Sequence, residues 1–304
     1  MLPSETLLFG QGRFRVKKPK LSIRVFHFSD YCAYLKAAYD ELCGHDPSVS
    51  FRKLQKVAGY SETSNHLWMR MHGHAPLSQQ AAQRYARVFG LKTREIQFFM
   101  LLAAMNQAKT DEDRNAYLEQ MMEFREFRES RINNPADYYS PWYLPILRAT
   151  VGLDDFKEDP AWIAERLLMP ITKKEVEKGL QKLFAIGYLV RDERGSLRLS
   201  SPFVGAYEDR HDPDPITILN MRNYDRAMIE LAHNAVGKQP QSQKFIVGNT
   251  LHISRRQALA MRDIVRKCLR EIEALASKDE AVEVVYRVNM QLFSLSKWTD
   301  EEQK

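Results

Sequence analysis

The side chains most able to do chemistry in the first hundred residues are His66, His72 and His74, with Met69 and Met71 between them. That spacing offers imidazole and thioether ligands to a soft metal such as copper. Cysteine and carboxylate partners are missing from the cluster, and a surface turn bearing two histidines accounts for it equally, so neither a metal nor another cofactor is expected. The sequence has no HExxH, GxSxG or Walker loop, and Gly10-Gln11-Gly12 lacks the third glycine and the flanking strand and helix of a dinucleotide site. Acidic pairs such as Asp154-Asp155 and Glu301-Glu302 fall in loop and tail segments, where they read as solvated charge rather than general acids. No catalytic residue is assigned and the chain reads as non-enzymatic.

What remains is positive charge. Residues 1–110 hold 16 Lys and Arg against 7 Asp and Glu, net +9, whereas residues 111–304 hold 29 against 32, net −3. One end therefore suits a polyanion, although a basic face that is merely solvated gives the same count. The cations lie in the first 24 residues (Arg13, Arg15, Lys17, Lys18, Lys20 and Arg24), on Arg52, Lys53 and Lys56, and on Arg84 and Arg87.

These residues need elements to hold them. Residues 1–27 form a basic arm without sustained periodicity. Ser29 and Asp30 can cap a helix bearing Tyr31, Tyr34, Leu35, Ala38 and Leu42, ended by Gly44 and Pro47. Two short helices follow: Phe51 to Ala58, then, after Gly59-Tyr60-Ser61 as break and cap, a second running to Gly73. Helices over Leu77–Phe89, Thr93–Ala108 and Asp111 to about Arg131 complete a domain at 28–132. This is the order of a phage-repressor-like helix-turn-helix bundle. Its second short helix would enter the major groove, which makes Ser61, Thr63, Ser64, Asn65, His66 and Arg70 the base-contacting candidates, while Arg52, Lys53 and Lys56 would hold phosphates. A plain helical bundle with a basic face is the competing reading.

A winged-helix domain is expected at 133–206. Tyr138, Tyr139, Trp142 and Tyr143 open a helix to about Thr150 and read as core rather than as a base-stacking platform. Pro160 starts a helix to Leu168. Thr172 and Glu175 then form a capping box before Val176, Leu180, Leu183 and Phe184. Two alternating runs, Tyr188–Arg191 and Ser196–Leu199, flank the turn Asp192-Glu193-Arg194-Gly195. Lys173, Lys174, Lys178, Gln181 and Lys182 on the third helix, with Arg194 on the wing, are a second set of DNA candidates, in an architecture that serves protein docking as readily.

A polar linker at 207–215 leads into a C-terminal α+β domain at 207–298, followed by a polar tail at 299–304. A helix from about Leu219 to Val236 precedes a strand at Phe245–Ser254, an amphipathic helix at Arg255–Ser277 and a long strand at Val282–Leu295. Val282, Val284, Tyr286, Val288, Met290 and Leu292 alternate with Glu283, Arg287, Asn289 and Gln291, the pattern of a half-buried sheet. One chain offers few strands for it, so a homodimer is expected.

Several stretches together carry a resemblance: Asp30-Tyr31 with Tyr34-Leu35, Ala58-Gly59-Tyr60-Ser61, Met105-Asn106-Gln107-Ala108-Lys109-Thr110, Tyr138-Tyr139-Ser140-Pro141-Trp142-Tyr143, Ile171-Thr172 with Gly187-Tyr188-Leu189, Arg222-Asn223-Tyr224, and Val285-Tyr286 with Asn289-Met290-Gln291-Leu292-Phe293. In these the chain resembles the paralogous family of two-part helix-turn-helix proteins of Fibrobacter and Bdellovibrio, whose C-terminal domain has no assigned function. The resemblance implies a transcriptional regulator and brings no catalytic residues. Where that family often has Gly-Lys-Arg-Asn-Leu-Ser after the recognition helix, this chain has Gly73-His74-Ala75-Pro76-Leu77-Ser78, two phosphate donors fewer.

Composition sets the outer bounds. At 304 residues and 35.4 kDa, 44% hydrophobic and 28% charged with 13 glycines and 13 prolines, the chain has the balance of a folded protein of about two domains. Its longest apolar run, Phe98–Met105, is far short of the ~20 residues of a membrane span, and the N-terminus lacks a secretory pattern. Cys32, Cys43 and Cys268 have no CxxC spacing and read as reduced core thiols, consistent with the cytoplasm. The expected fold is mainly α with a smaller α+β part: helix-turn-helix bundle, winged helix, then a C-terminal α/β unit. The expected function is a dimeric, cytoplasmic regulator binding double-stranded DNA, with no membrane partner. Two alternatives stand beside it: a protein-interaction adaptor with a degenerate helix-turn-helix, and a regulator whose C-terminal domain senses an unidentified small-molecule effector.

Overall fold

The computed structural model describes residues 21–131, 134–201, 214–279 and 281–297. The arm up to residue 20, most of the 207–215 linker and the 299–304 tail lie outside the described residues. Those that are described are mainly helical, with one two-stranded sheet. None of their helices is long and apolar enough to cross a membrane. Contacts divide the chain into two units, one running to Asn134 and including residues 210–219, the other holding residues 135–209 and 220–304.

In the first unit, α1 (Tyr31–His45), α2 (Phe51–Val57), α3 (His66–Met71), α4 (Gln79–Val88), α5 (Thr93–Gln107), α6 (Asp111–Met122) and α7 (Arg125–Arg131) follow in order. Asp30, Ser50, Ser78 and Thr110 cap α1, α2, α4 and α6 by accepting from amides two or three residues on. Tyr34, Leu35, Tyr85, Phe98, Phe99 and Leu102 are fully buried at the centre. Two amide side chains at the end of α5 tie distant segments to this core. Asn106 accepts from Tyr31 N–H and donates to Ser29 C=O at 2.8 and 2.9 Å, and Gln107 bonds both the N–H and the C=O of Leu77.

Three expectations for this unit are corrected. Residues 25–27, placed in the arm, form a 3-10 turn in which Val25 and Phe26 are buried, because the Phe26 ring packs on Phe98 and Phe124 at 4.9 and 5.8 Å. The single helix expected over 111–131 is broken at Glu123-Phe124, where Phe124 turns onto Phe26 and Phe98. The second short helix begins at His66 rather than just after Ser61. Residues 61–65 are turns whose carbonyls are held by the buried Gln55: its Nε2 donates to the C=O groups of Ser61, Glu62 and Ser64. Gly59, with φ of 80°, makes the exit from α2 that a side chain would resist.

The second unit opens with a 3-10 turn (Pro135–Tyr139), then α8 (Leu144–Thr150), α9 (Pro160–Arg166) and α10 (Lys173–Ala185). β1 (Leu189–Arg191) and β2 (Leu197–Leu199) pair antiparallel, Leu189 opposite Leu199. α11 (Pro215–Lys238), of which residues 220–238 belong to this unit, and α12 (Arg255–Ala276) follow. Tyr138, Tyr139, Leu144, Leu147, Val176, Leu183 and Tyr224 form its core, with the Tyr138 ring 4.3 Å from Tyr188 and the Tyr139 ring 5.0 Å from Tyr224. The buried Arg148 of α8 donates to the Ser201 carbonyl and so fastens the chain beyond β2.

No C-terminal sheet is formed among the described residues. Residues 245–254 and 281–295, expected as strands, carry no helix and no paired strand: no described part of the chain pairs with them as a ladder, and a strand is defined by such a neighbour. The three cysteines are half-buried and unbonded to one another.

Candidate nucleic-acid interface

The two candidate surfaces are built very differently. On α10, Thr172 and Glu175 cap each other: Thr172 Oγ1 accepts from Glu175 N–H at 3.2 Å, and Glu175 Oε2 accepts from Thr172 N–H at 2.8 Å. Those bonds from Thr172 hold the Glu175 carboxyl below its ordinary range. Val176, Gly179 and Leu183 turn inward, and at Gly179 the helix comes so close to α8 that an added Cβ would stand 2.4 Å from Leu147 Cδ1. The opposite face exposes Lys173, Lys174, Lys178 and Gln181, with Glu177 among them. None of the three lysines has a carboxylate oxygen within 4.0 Å among the described residues. Lys182 is the exception on this helix. It is half-buried, with its ammonium 3.6 Å from Asp137 Oδ2, so it belongs to an internal pair rather than to the exposed face expected of it.

The adjoining hairpin is stiffened at both ends. Asp192 Oδ1 accepts from the amides of Arg194 and Ser196 at 3.0 and 2.9 Å, and Gly195 takes a φ of 79°. Arg191 clamps Glu158 with two bonds of 2.6 and 3.0 Å, which hold the Glu158 carboxyl down, and Arg198 bonds Asp192. Of the hairpin's three arginines this leaves Arg194 exposed at the tip without an ion pair among the described residues.

The first unit presents far less charge where sequence placed its reading helix. Thr63, Ser64 and Asn65 precede α3. The hydroxyls are spent locally: Ser61 Oγ and Thr63 Oγ1 are 2.8 Å apart, and Ser64 Oγ donates to Ser61 C=O. His66 stacks on Tyr60 at 3.6 Å and bonds Tyr85 through Nδ1 at 2.7 Å. Its burial, and then the charges of Arg70 and Arg84, pull its pKa down to about 4, so it is neutral at pH 7. Arg70 bends back to donate to His66 C=O at 3.0 Å, and Arg84 lies over the Tyr60 ring at 5.2 Å. Lys56 pairs with Glu62. Arg52 and Lys53 on α2 are exposed.

What α3 offers outward is Asn65, Trp68 and His72. Trp68 is 38% exposed and stacks on His72 at 4.5 Å, a feature sequence reading passed over. The signal was available, since Leu67 and Met71 at i and i+4 take the inward face and leave Trp68 outside it. Of the histidine and methionine cluster, His66 is committed to Tyr60 and Tyr85 and Met71 is buried, while the His72 and His74 rings lie 6.2 Å apart beside Trp68; no group of three metal-binding side chains occurs among the described residues.

Comparison with known families matches residues 118–295 to a family described as Domain of unknown function (DUF4423). The match takes in α7 to α12 and the segments at 245–254 and 281–295. No curated protein and no solved structure matches the chain.

Proposed function

With more than half of its length matched, the chain belongs to the DUF4423 family, and we propose that this member is a non-enzymatic, cytoplasmic regulator of transcription that binds double-stranded DNA. The observation that carries the reading is the face of α10. Three lysines and a glutamine stand exposed on the third helix of a helix-helix-helix-hairpin order, with Arg194 at the hairpin tip, which is how a winged helix meets a duplex. The lysines and Arg194 would hold phosphates, and Gln181 would bond a base edge. The α2–α3 pair is read as a helix-turn-helix in keeping with the two-part family that the sequence resembles. Its contribution is phosphate contact through Arg52 and Lys53, because Arg70 and His66 are occupied inside the unit.

One observation favours a second reading. α3 exposes an aromatic ring and no cation, which suits a protein partner better than a phosphate backbone, so the first unit would serve as an adaptor. In that case Lys53→Glu and Arg70→Glu leave function intact. The test is capture of sheared genomic DNA by the purified chain at low and near-physiological salt, with sequencing of what remains bound. A recurring motif retained at the higher salt supports sequence-specific regulation. Recovery that is sequence-blind and vanishes with salt sinks that reading and leaves the adaptor.

A further inference from the structure

We infer that residues 245–295 form a dimerisation module completed by a second copy of this chain, whose strands pair with the unpaired segments 245–254 and 281–295 and whose α12 covers the apolar stripe of this one. This goes beyond the DNA-binding reading and does not depend on it.

Three observations meet in this region. Residues 245–254 and 281–295 belong to no helix or paired strand, and among the described residues their backbone–backbone bonds are Asp154 N–H to Val282 C=O at 2.9 Å and, where α12 begins, Ala258 N–H to Ser254 C=O at 3.0 Å. Rows of unpaired N–H and C=O groups of this length are templates for another strand. α12 runs for 22 residues with an apolar stripe that includes Ile264, and not one of its residues is buried. The outward face of the last segment, Val282, Val284, Tyr286, Val288, Met290 and Leu292, is likewise open, at 37–65% exposure.

The second segment is nevertheless held in place. Arg287 donates to Tyr224 Oη at 3.1 Å and lies over its ring, Asn289 donates to Met228 C=O at 3.0 Å, and Arg166 donates to Glu283 C=O at 2.9 Å. Its even-numbered apolar side chains stay exposed beside these tethers.

The occupant follows from area and symmetry. Sixteen large apolar side chains between Phe245 and Leu295 are 37–88% exposed, which at ~150–200 Å² per fully exposed side chain leaves about 1,500 Å² per chain. A standard interface takes about 800 Å² from each partner, and permanent dimers take more. Surface of that extent is not left open on a monomer. A second copy supplies in equal number what each chain lacks, a strand edge for each strand edge and an apolar stripe for each stripe, which is the self-complementarity a two-fold axis requires.

The test is the mass of the full chain by light scattering at about 20 µM, together with amide hydrogen exchange. The wild type is expected to be a dimer, with amides of 245–254 and 284–295 exchanging at least about 100-fold more slowly than those of an open chain. Ile264→Glu and Val284→Glu should each weaken the dimer by about 30-fold or more. Phe184→Glu, on the exposed side of α10, should not. A monomeric wild type overturns the inference. So does a dimer unaffected by both substitutions, or slow exchange in a monomer, which would put the cover within one chain. If either charged variant fails to fold, exchange in the wild type decides alone. None of these readouts involves DNA, so their failure and the failure of the DNA reading are told apart.

Discussion

Replacing Gly179 by alanine sets two effects of similar size against each other. An interior helical glycine costs about 1 kcal/mol relative to alanine, so propensity alone favours the change. The added methyl would lie 2.4 Å from Leu147 Cδ1, 3.2 Å from Tyr143 Cε2 and 3.3 Å from Leu144 Cδ2. Carbon atoms pack best at ~3.5–4.0 Å. Leu144 and Leu147 are fully buried, so α8 has little room to retreat, and overpacking of this kind costs about 1–3 kcal/mol. Net of the propensity gain, Gly179→Ala should lose up to about 2 kcal/mol. Gly237 in α11 is the control. Nothing lies within 4 Å of its added Cβ, and Gly237→Ala should gain about 0.5–1 kcal/mol. Urea unfolding reads both as midpoint shifts at constant slope, downward for the first and upward for the second. Equal upward shifts would show that α10 does not seat on α8 through this contact, and the argument for how its lysine face is presented would fall with it.

Three further outcomes are expected in the first unit. Phe26→Ala, which empties the space against Phe98 and Phe124, should cost about 3–5 kcal/mol, whereas a residue in a loose arm would cost nothing measurable by calorimetry. Gln55→Leu removes the donor shared by Ser61, Glu62 and Ser64 and should cost about 1–3 kcal/mol; limited proteolysis should then cut within 58–65, and unchanged resistance would refute the clamp. His66 has a pKa of about 4 when folded against ~6.5 unfolded. Above pH 6.5 both states are neutral there. As pH falls from 6.5 towards 4 the unfolded chain binds a proton that the folded chain does not, so stability falls through that window. His66→Gln should flatten the decline between pH 7 and 5, and an equally steep decline would show that His66 is not its source.

The parts of the fold readable in the sequence are those fixed by neighbours along the chain. The Thr172–Glu175 box, the Asp30 cap and the Asp192–Gly195 turn act over two to four residues, and each element sits where those signals put it. The parts that were not readable depend on residues far away. Phe124 breaks the 111–131 helix because Phe26, almost a hundred positions earlier, receives it. α3 starts late because Gln55 holds the preceding carbonyls. Lys182 left the basic face because Asp137 lies behind it, although its spacing from Lys178 had suggested a shared surface. In the C-terminal part, alternation suggests which residues would share a face, but a sheet needs a second strand, and one chain's pattern does not say whose strand it is.

The most direct test of the central claim is the salt dependence of duplex binding by the wild type and by the Lys173→Gln, Lys174→Gln, Lys178→Gln triple variant, followed by fluorescence anisotropy. Each lysine that neutralises a phosphate contributes about 0.9 to the slope of log K against log salt. The account predicts a steep wild-type slope that falls by up to about 2.7 in the triple variant, with Gln181 and Arg194 left in place. Binding that ignores salt, or a slope that the triple variant leaves unchanged, would contradict it.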